Sequence, residues 1–270
     1  FLDTGVFGTN FTKFKQRYAI MGGYGGYEIL GYQRQDELNQ RFYSIAYRAT
    51  KDVLDLPEFL HMDRHCVLSA AARRTYNDLE NDFYTELEAG RITPTNALVK
   101  LLRLQQLTSG FTITDDGEEV NLDSEKAGLL ADTLEDLSVK EPVVIFARFR
   151  HDLDTIRAVV EKQGRTYAEL SGRDNQLAEW QDGEFAVLGV QIQAGGVGVS
   201  LVRARYCIYY SVGFSLGDYE QSLARVHRPG QTRPVVYVHL LAEGTVDEKV
   251  MYALANKKNV VDSILERGKR

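Results

Sequence analysis

From Pro142 onward, short apolar runs alternate with amphipathic segments, and this alternation constrains the fold more than any other feature. The predicted strands are residues 143–147, 166–170, 185–192, 206–211 and 235–241, and the predicted helices are residues 152–163, 175–181 and 219–227. Alternation at this spacing predicts an α/β fold, in which a parallel sheet carries helices on both faces. Ligands of such sheets bind beyond the carboxyl ends of the strands. We therefore expect the functional residues at that edge.

A glycine-rich segment follows the apolar run at 185–192. It reads QAGGVGVSL from Gln193 to Leu201 and contains Gly195, Gly196 and Gly198. Glycine permits a close approach of the backbone to a ligand and tolerates turns that other residues do not. A buried strand that leads into a glycine loop is typical of a phosphate or nucleic-acid site, although such loops are weak signals by themselves.

The predicted helix at 219–227 carries a polar stripe of Gln221, Arg225 and Arg228. At about 100° per residue these three positions share one face. Pro229 and Gly230 end the helix, and Asp218 with Gln221 is consistent with an N-terminal capping box. Two arginines present planar forks of donors that suit a polyanion, but a solvated basic helix face is the simpler alternative.

These segments resemble a known family. QAGGVGVSL followed by YEQSLARVHRPGQ resembles motifs V and VI of superfamily-two helicases, in particular the Swi/Snf-type DNA-dependent ATPases. PVVIFARFRHDLDTI is similar to motif IV, and YAELSG to the short strand and turn after it. GTVDEKVMYALANKKNVVDSIL resembles the C-terminal bracing helix, and FGTNFTKFKQRY with DLPEFL resembles the segment after motif III. The resemblance covers nearly the whole chain and is nearest to phage-encoded members.

The resemblance implies a domain organisation. Residues 126–270 would form the second RecA-like domain, with the bracing helix at its end. Residues 1–125 would form a mostly helical insertion lobe with a short hairpin around Thr114 to Gly117. Neither a phosphate loop of the form G-x-x-x-x-G-K-[ST] nor a strand-terminal Asp-Glu pair occurs in the sequence. The chain would therefore supply half of an ATPase site, be inactive alone, and need the N-terminal RecA-like lobe of the same polypeptide to hold most of the Mg²⁺ of Mg²⁺-ATP.

The resemblance also assigns roles to residues. Arg225 and Arg228 would be arginine fingers, Gln221 would orient the nucleotide or the attacking water, and Gly198 and Ser200 would line the nucleotide site. Duplex DNA is the implied partner, and its candidate contacts are Arg148, Arg150, Ser171, Arg173, Gln193 and Gly196. Two departures from the family pattern are Ser200, where motif V usually has Asn or Asp, and Tyr210 to Phe214, where many members have Trp-Asn-Pro.

Composition agrees only in part with a DNA-binding role. The net charge is −6, from 32 basic and 38 acidic side chains, whereas a nucleic-acid footprint is normally basic. The two cysteines, Cys66 and Cys207, lie far apart in apolar surroundings and favour a reduced, intracellular protein, in the host cytoplasm if it is viral. No apolar run has the roughly 20 residues of a membrane span. His61, His65 and Cys66 lack a second pair at zinc spacing, so we interpret them as structural and predict no metal site.

The N-terminal half gives weaker signals. The predictions there are a loop or hairpin at 7–32, helices at 35–51, 69–89, 95–108 and 124–137, and a short strand at 65–68. In the helix at 95–108, Leu98, Val99, Leu101, Leu102 and Leu107 are predicted to form a buried stripe. Asp36-Glu37 opens a charged helix, so it is not interpreted as a magnesium-binding pair. The chain begins at Phe1, which favours a piece of a longer protein.

Three other functions remain open. An RNA helicase lobe is the nearest, although the large helical insertion before motif IV favours the DNA-translocating branch. A catalytically silent module that binds nucleic acid or protein is a second, and it would not need two arginines on the cleft face. An α/β enzyme that binds a nucleotide sugar is a third, and it should carry its own acidic or basic catalytic residue.

Overall fold

The chain forms two compact units, Phe1–Asp55 and Leu56–Arg270. The computed structural model describes residues 3–26, 28–46, 56–88, 94–114, 116–122, 124–193 and 198–257. The predicted division between residues 1–125 and 126–270 stays a prediction about sequence segments. Five elements that precede residue 125 belong to the second compact unit together with the sheet.

The first unit combines short helices with a hairpin. Its elements are α1 (Thr4–Phe7), α2 (Phe11–Tyr18), β1 (Ala19–Gly22), β2 (Glu28–Tyr32) and α3 (Gln35–Tyr43), and β1 pairs with β2 in antiparallel orientation. Asn10 accepts a hydrogen bond from the Lys13 amide and caps α2, a helix that the sequence analysis missed. Glu37 lies in the first turn of α3, as predicted, and forms ion pairs with Arg17 and Arg41. The predicted residues 47–51 of this helix lie outside the described residues.

A six-stranded parallel sheet forms the second unit. Its strands are β3 (Phe59–Cys66), β6 (Val143–Ala147), β7 (Tyr167–Leu170), β8 (Val187–Gln191), β9 (Tyr206–Tyr209) and β10 (Val235–Ala242), in the order β3-β10-β9-β6-β8-β7. A separate antiparallel hairpin consists of β4 (Phe111–Ile113) and β5 (Glu119–Asn121). The predicted strands from residue 143 onward and the hairpin at Thr114 to Gly117 are confirmed, and the bounds differ by up to two residues.

Helices cover both faces of this sheet, which confirms the predicted α/β architecture. The helices are α4 (Ala70–Glu88), α5 (Pro94–Ser109), α6 (Glu125–Glu135), α7 (Arg150–Lys162), α8 (Leu177–Asp182), α9 (Leu216–Val226) and α10 (Val246–Ala255). Along β6, Val143 and Ile145 pack with α6 and α7, whereas Val144 and Phe146 pack in the cluster that contains α4, α5, α9 and α10. Burial on both faces explains why this strand is a continuous apolar run.

The structure corrects three details of the sequence analysis. Strand β3 has eight residues instead of the predicted four at 65–68, because it is an edge strand whose exposed side chains obscure the apolar pattern. In α5, Leu98 and Val99 are 41% and 49% exposed, and the buried stripe is Ala97, Leu101, Leu104 and Leu107. Helix α9 begins at Leu216, and its cap is Ser215 instead of Asp218.

Within the described ranges, no helix is both long and apolar enough to cross a bilayer.

Candidate functional site

Helix α9 presents the predicted polar stripe because its other face is fixed in the core. Tyr219, Ser222 and Val226 are buried. The Ser222 and Tyr209 hydroxyls are hydrogen-bonded at 2.7 Å, and the Tyr219 hydroxyl lies 2.9 Å from Nε2 of His239. These contacts hold α9 against β9 and β10. They leave the side of the helix that carries Gln221 and Arg225 outside the core.

That side of the helix faces a small cavity of about 70 Å³ at the carboxyl end of β8. Its lining residues are Phe146, Val190, Ile192, Gln193, Val199, Leu201, Asp218, Gln221, Ser222 and Arg225. Gln193, Gln221 and Arg225, all predicted site residues, therefore meet at one place. Arg225 forms no ion pair with any residue in the described ranges. A cation without a counterion beside two amide side chains suits an anionic ligand.

The end of the glycine loop is fixed to the end of α9. The Leu201 amide donates to the Arg225 carbonyl at 2.9 Å, and Nη1 of Arg228 donates to the Val199 carbonyl at 3.3 Å. Arg228 lies two residues beyond the last residue of α9. Its position is therefore set by a turn and not by the helix. Gly198 has a φ of +104°, a conformation that requires glycine. Gly195 and Gly196 lie outside the described residues.

Two neighbouring residues have structural contacts. The Ser200 carbonyl accepts from Nε2 of Gln181 at 2.8 Å. Gln231 is 6% exposed, and its amide donates to the carbonyls of Val202 and Ala204. The terminal glutamine of the sequence RVHRPGQ therefore shapes the loop before β9, and Gly230, with a φ of +103°, allows the turn that leads to it.

Arg148 follows β6, as predicted, but it is turned inward. Its guanidinium donates to the side-chain oxygen of Gln105 and lies 4.2 Å from the ring centre of Phe214. Burial lowers the pKa of Arg148 to about 10. The predicted contact between Arg148 and DNA stays a prediction, and these contacts make Arg148 a support of the loop at Phe214.

Ser171 and Arg173 share a buried carboxylate. The Ser171 hydroxyl donates to Glu169 at 2.6 Å, and Nε of Arg173 donates to the same carboxylate at 2.7 Å. Arg173 also pairs with Asp154, and hydrogen bonds to Glu169 and Asp154 raise its pKa further above its ordinary value. Hydrogen bonds from Arg173 and Ser171 overcome desolvation and keep the pKa of Glu169 low.

Arg150 and Gln193 are predicted DNA contacts that the structure leaves accessible. Both are exposed, and Arg150 begins α7, where its guanidinium lies beside Gly172. The side chain of Arg150 has neither an ion pair nor a hydrogen bond to the other described residues. Because β6, β7 and β8 are parallel, Arg150, Ser171 and Gln193 occur at the same edge of the sheet.

A buried polar cluster beside this edge was not predicted. It consists of Gln105, Thr108, Lys126, Asp152, Ser211 and Asp247, each with at least one polar contact. Lys126, 1% exposed, pairs with Asp247 at 2.6 Å, and burial raises the pKa of the fully buried Asp152. The signal for it in the sequence was the concentration of uncharged polar residues Gln105, Gln106, Thr108 and Ser109 in the last turn of α5.

A larger cavity lies elsewhere. It has a volume of about 900 Å³, lies between α9, α10 and the β3 edge, and contains none of the predicted site residues. His61 at its wall stacks on His239 with ring centres 5.5 Å apart. Burial raises the pKa of Cys66 to about 11, which disfavours the thiolate needed to bind a metal. Among residues with described positions, no group of three or more His, Cys, Asp or Glu side chains has the geometry of a metal site.

The chain is similar to several known proteins. The family described as "Helicase conserved C-terminal domain" matches residues 125–230. "Putative protein p41" of Acyrthosiphon pisum secondary endosymbiont phage 1 is 26% identical over 81% of this chain and 48% of its own length. The "SWI/SNF-related matrix-associated actin-dependent regulator of chromatin subfamily A containing DEAD/H box 1 homolog" of Caenorhabditis elegans is 28% identical over 67% of this chain and 19% of its own length. The chain thus spans about half of the phage relative and less of the nematode one.

A solved structure, "Sulfolobus solfataricus SWI2/SNF2 ATPase core in complex with dsDNA", shares the fold with a TM-score of 0.57 and 22% identity, over 99% of this chain and 58% of that chain. The sheet is accordingly RecA-like. The matched domain and the sequence relatives are consistent with one another. Residues 125–230 thus match the helicase C-terminal domain family, and the chain as a whole resembles the C-terminal RecA-like lobe of Swi/Snf-type members of helicase superfamily two.

Proposed function

We propose that this chain is the C-terminal half of an ATP-dependent DNA helicase or translocase. The observation that carries the proposal is the meeting of Gln193, Gln221 and Arg225 at one cavity, with Arg228 bound to the neighbouring glycine loop. In this proposal the missing part of the site, including the phosphate loop, comes from an N-terminal RecA-like lobe of the same polypeptide. A DNA substrate would place the enzyme inside a cell, and in the host cytoplasm if the protein is viral.

The proposed chemistry is phosphoryl transfer. Arg225 and Arg228 would stabilise the charge that develops on the transferred phosphoryl group, and Gln221 would orient the nucleotide or the attacking water. Catalysis of this kind depends mainly on positioning and electrostatics, so the absence of a general base is no obstacle. Gly198 and Ser200 would border the nucleotide.

The residues present fit a phosphate better than a metal ion. Asp218 is the one carboxylate among the described residues that line the cavity, whereas Mg²⁺ takes oxygen ligands and is usually held by carboxylates together with substrate phosphates. The Mg²⁺ of Mg²⁺-ATP would therefore be held mainly by the other lobe and would neutralise phosphate charge there.

The proposed DNA track is the edge formed by the ends of β6, β7 and β8. Arg150 and Gln193 are exposed there, and the Ser171 and Arg173 pair lies beside them. Phosphate contacts of this kind position a protein on DNA without reading its sequence. The solved structure with double-stranded DNA supports a duplex as the partner.

The proposal predicts that the intact polypeptide hydrolyses ATP when duplex DNA is added, whereas the 270-residue chain alone does not exceed background. The reason is that the chain lacks the phosphate-loop lysine and the magnesium ligands. Steady-state phosphate release, measured with duplex DNA, duplex RNA or no nucleic acid, tests this. Stimulation by RNA alone would instead support an RNA helicase, and no turnover in any condition would support a silent binding module.

We expect the isolated chain to bind duplex DNA weakly and with a shallow dependence on salt. Each neutralised phosphate contributes a slope of about −0.9 in log affinity against log salt, so contacts by Arg150 and Arg173 predict a slope of about −2. A labelled duplex is titrated at several salt concentrations with wild type and Arg150→Ala, which should reduce the slope by about one. Arg74→Ala, on the exposed face of α4, is the control. A steep slope that Arg150→Ala leaves unchanged would place the DNA surface elsewhere.

A further inference from the structure

The last turn of α5 is polar and yet buried. Gln105, Gln106, Thr108 and Ser109 are between 0% and 4% exposed. Burial of a polar side chain is unfavourable unless it forms hydrogen bonds. An apolar helix would cover the sheet at least as well, so these polar side chains need a reason beyond packing.

Gln105 joins the ends of two neighbouring strands. Its Nε2 donates to the carbonyl of Val212, after β9, at 2.9 Å, and its side-chain oxygen accepts from the guanidinium of Arg148, after β6. Strands β6 and β9 are adjacent in the sheet. The side-chain amide of Gln105 therefore holds both loops, one through its N–H donor and the other through its oxygen.

The loop held by Gln105 leads directly into α9. Phe214 lies under the Arg148 guanidinium, and Ser215 caps the helix. Gln221 and Arg225 follow on the same helix and line the small cavity. A helix is stiff and moves as one body when its first turn is displaced. A shift of the loop would therefore move α9 together with Gln221 and Arg225.

A second contact fixes the same part of α5 to the end of the chain. The Thr108 hydroxyl donates to Asp247 on α10 at 3.0 Å, and Asp247 is paired with Lys126. Gln105 is thereby held in a defined position between α10 and the strand ends. A change in the position of the helical segment formed by α4 and α5 would therefore change the position of the loop before α9.

We propose that Gln105 is a positioning residue that couples the helical segment of α4 and α5 to the placement of Gln221 and Arg225. This inference rests on the function proposed above. Gln105 touches no reacting atom in this scheme, and it acts through the Val212 carbonyl and the Arg148 guanidinium. The helical segment would in this way control the turnover of the ATPase site without contacting the nucleotide.

The test compares Gln105→Met with Gln106→Met in the intact polypeptide. Methionine keeps the volume of glutamine and removes its hydrogen bonds. Gln106 is 4% exposed on the same helix, but its side-chain oxygen accepts only from Arg103, within α5, at 3.5 Å among the described contacts. Small displacements in an active site lower turnover by up to about 100-fold. We therefore expect Gln105→Met to lower the DNA-stimulated kcat by about 10-fold or more relative to Gln106→Met, with a similar KM for ATP, when both are measured well below their thermal midpoints.

Two further variants make the result decisive. If Gln105→Met does not fold, Gln105→Glu, which keeps an acceptor for Arg148 and loses the donor to Val212, replaces it under the same criterion. The double variant Gln105→Met/Arg148→Met should be no slower than the slower single variant, because both act through one contact. The inference would be overturned if the kcat of the Gln105 variant equalled that of Gln106→Met. It would also be overturned if the loss of kcat in the double variant equalled the product of the losses in the two single variants.

Arg225→Lys, measured in parallel, separates this inference from the proposed function. If Arg225→Lys abolishes turnover and the Gln105 variant matches its Gln106 control, the inference is wrong and the proposed function stands. If the wild-type polypeptide shows no DNA-stimulated turnover, the proposed function is wrong and the inference fails with it.

Discussion

Replacement of Arg225 by lysine in the intact polypeptide is expected to lower kcat for DNA-stimulated ATP hydrolysis by about 10³-fold, with a much smaller change in the KM for ATP. Arginine fingers contribute about 10³ to 10⁵ in rate where they have been measured. Arg225 lines the cavity beside Gln193 and Gln221 and has no ion pair to other described residues, so its charge is available to a phosphate. Lysine keeps the charge but loses the planar fork, which is needed in the transition state more than in the ground state.

Steady-state kinetics with saturating duplex DNA measure this effect. Arg228→Lys should also lower kcat, because Arg228 is fixed to the glycine loop through the Val199 carbonyl. Arg74→Lys, on the exposed surface of α4, is the matched control and should be unchanged. If Arg225→Lys and Arg228→Lys both retain near-normal kcat, these arginines form an ordinary basic helix face and the assignment of the site is wrong.

The second large effect concerns stability. Asp247→Asn is expected to lower the free energy of unfolding of the chain by about 3–5 kcal/mol, because it leaves a buried cation without its partner. Lys126 is 1% exposed and lies 2.6 Å from the Asp247 carboxylate, which also accepts from the Thr108 hydroxyl and the Ala242 amide. Asparagine keeps the size of the side chain, so the change tests charge and hydrogen bonding instead of packing.

Urea unfolding of the wild type and the variant gives this difference. Asp136→Asn is the control, because Asp136 pairs with Arg64 at 2.7 Å but is 66% exposed. Exposed pairs contribute about 0–1 kcal/mol, so this control should change stability little. Equal effects of the two substitutions would mean that water reaches the pair of Lys126 and Asp247 and that the cluster is not a closed part of the core.

The sequence by itself determined the five strands from residue 143 onward and the site helix. Strands β6, β8 and β9 are buried on both faces, and such strands are continuous apolar runs that need no knowledge of their neighbours. Gln221 and Arg225 are four residues apart on one helix, so local geometry alone places them together. The resemblance of motifs V and VI then gave the family, and the matched domain and relatives agree with it.

Tertiary structure alone decided which polar side chains face outward. Arg148 and Gln105 are 43 residues apart, and their contact turns inward an arginine that local sequence places at the DNA-facing edge. The position of the Arg173 guanidinium likewise depends on its ion pair with Asp154, which is 19 residues away in the sequence. Strand β3 was predicted too short because an edge strand lacks the burial that makes a pattern visible. Periodicity reports the burial of an element, whereas the partner of a polar group is fixed by chain segments that are distant in sequence and meet only in the folded protein.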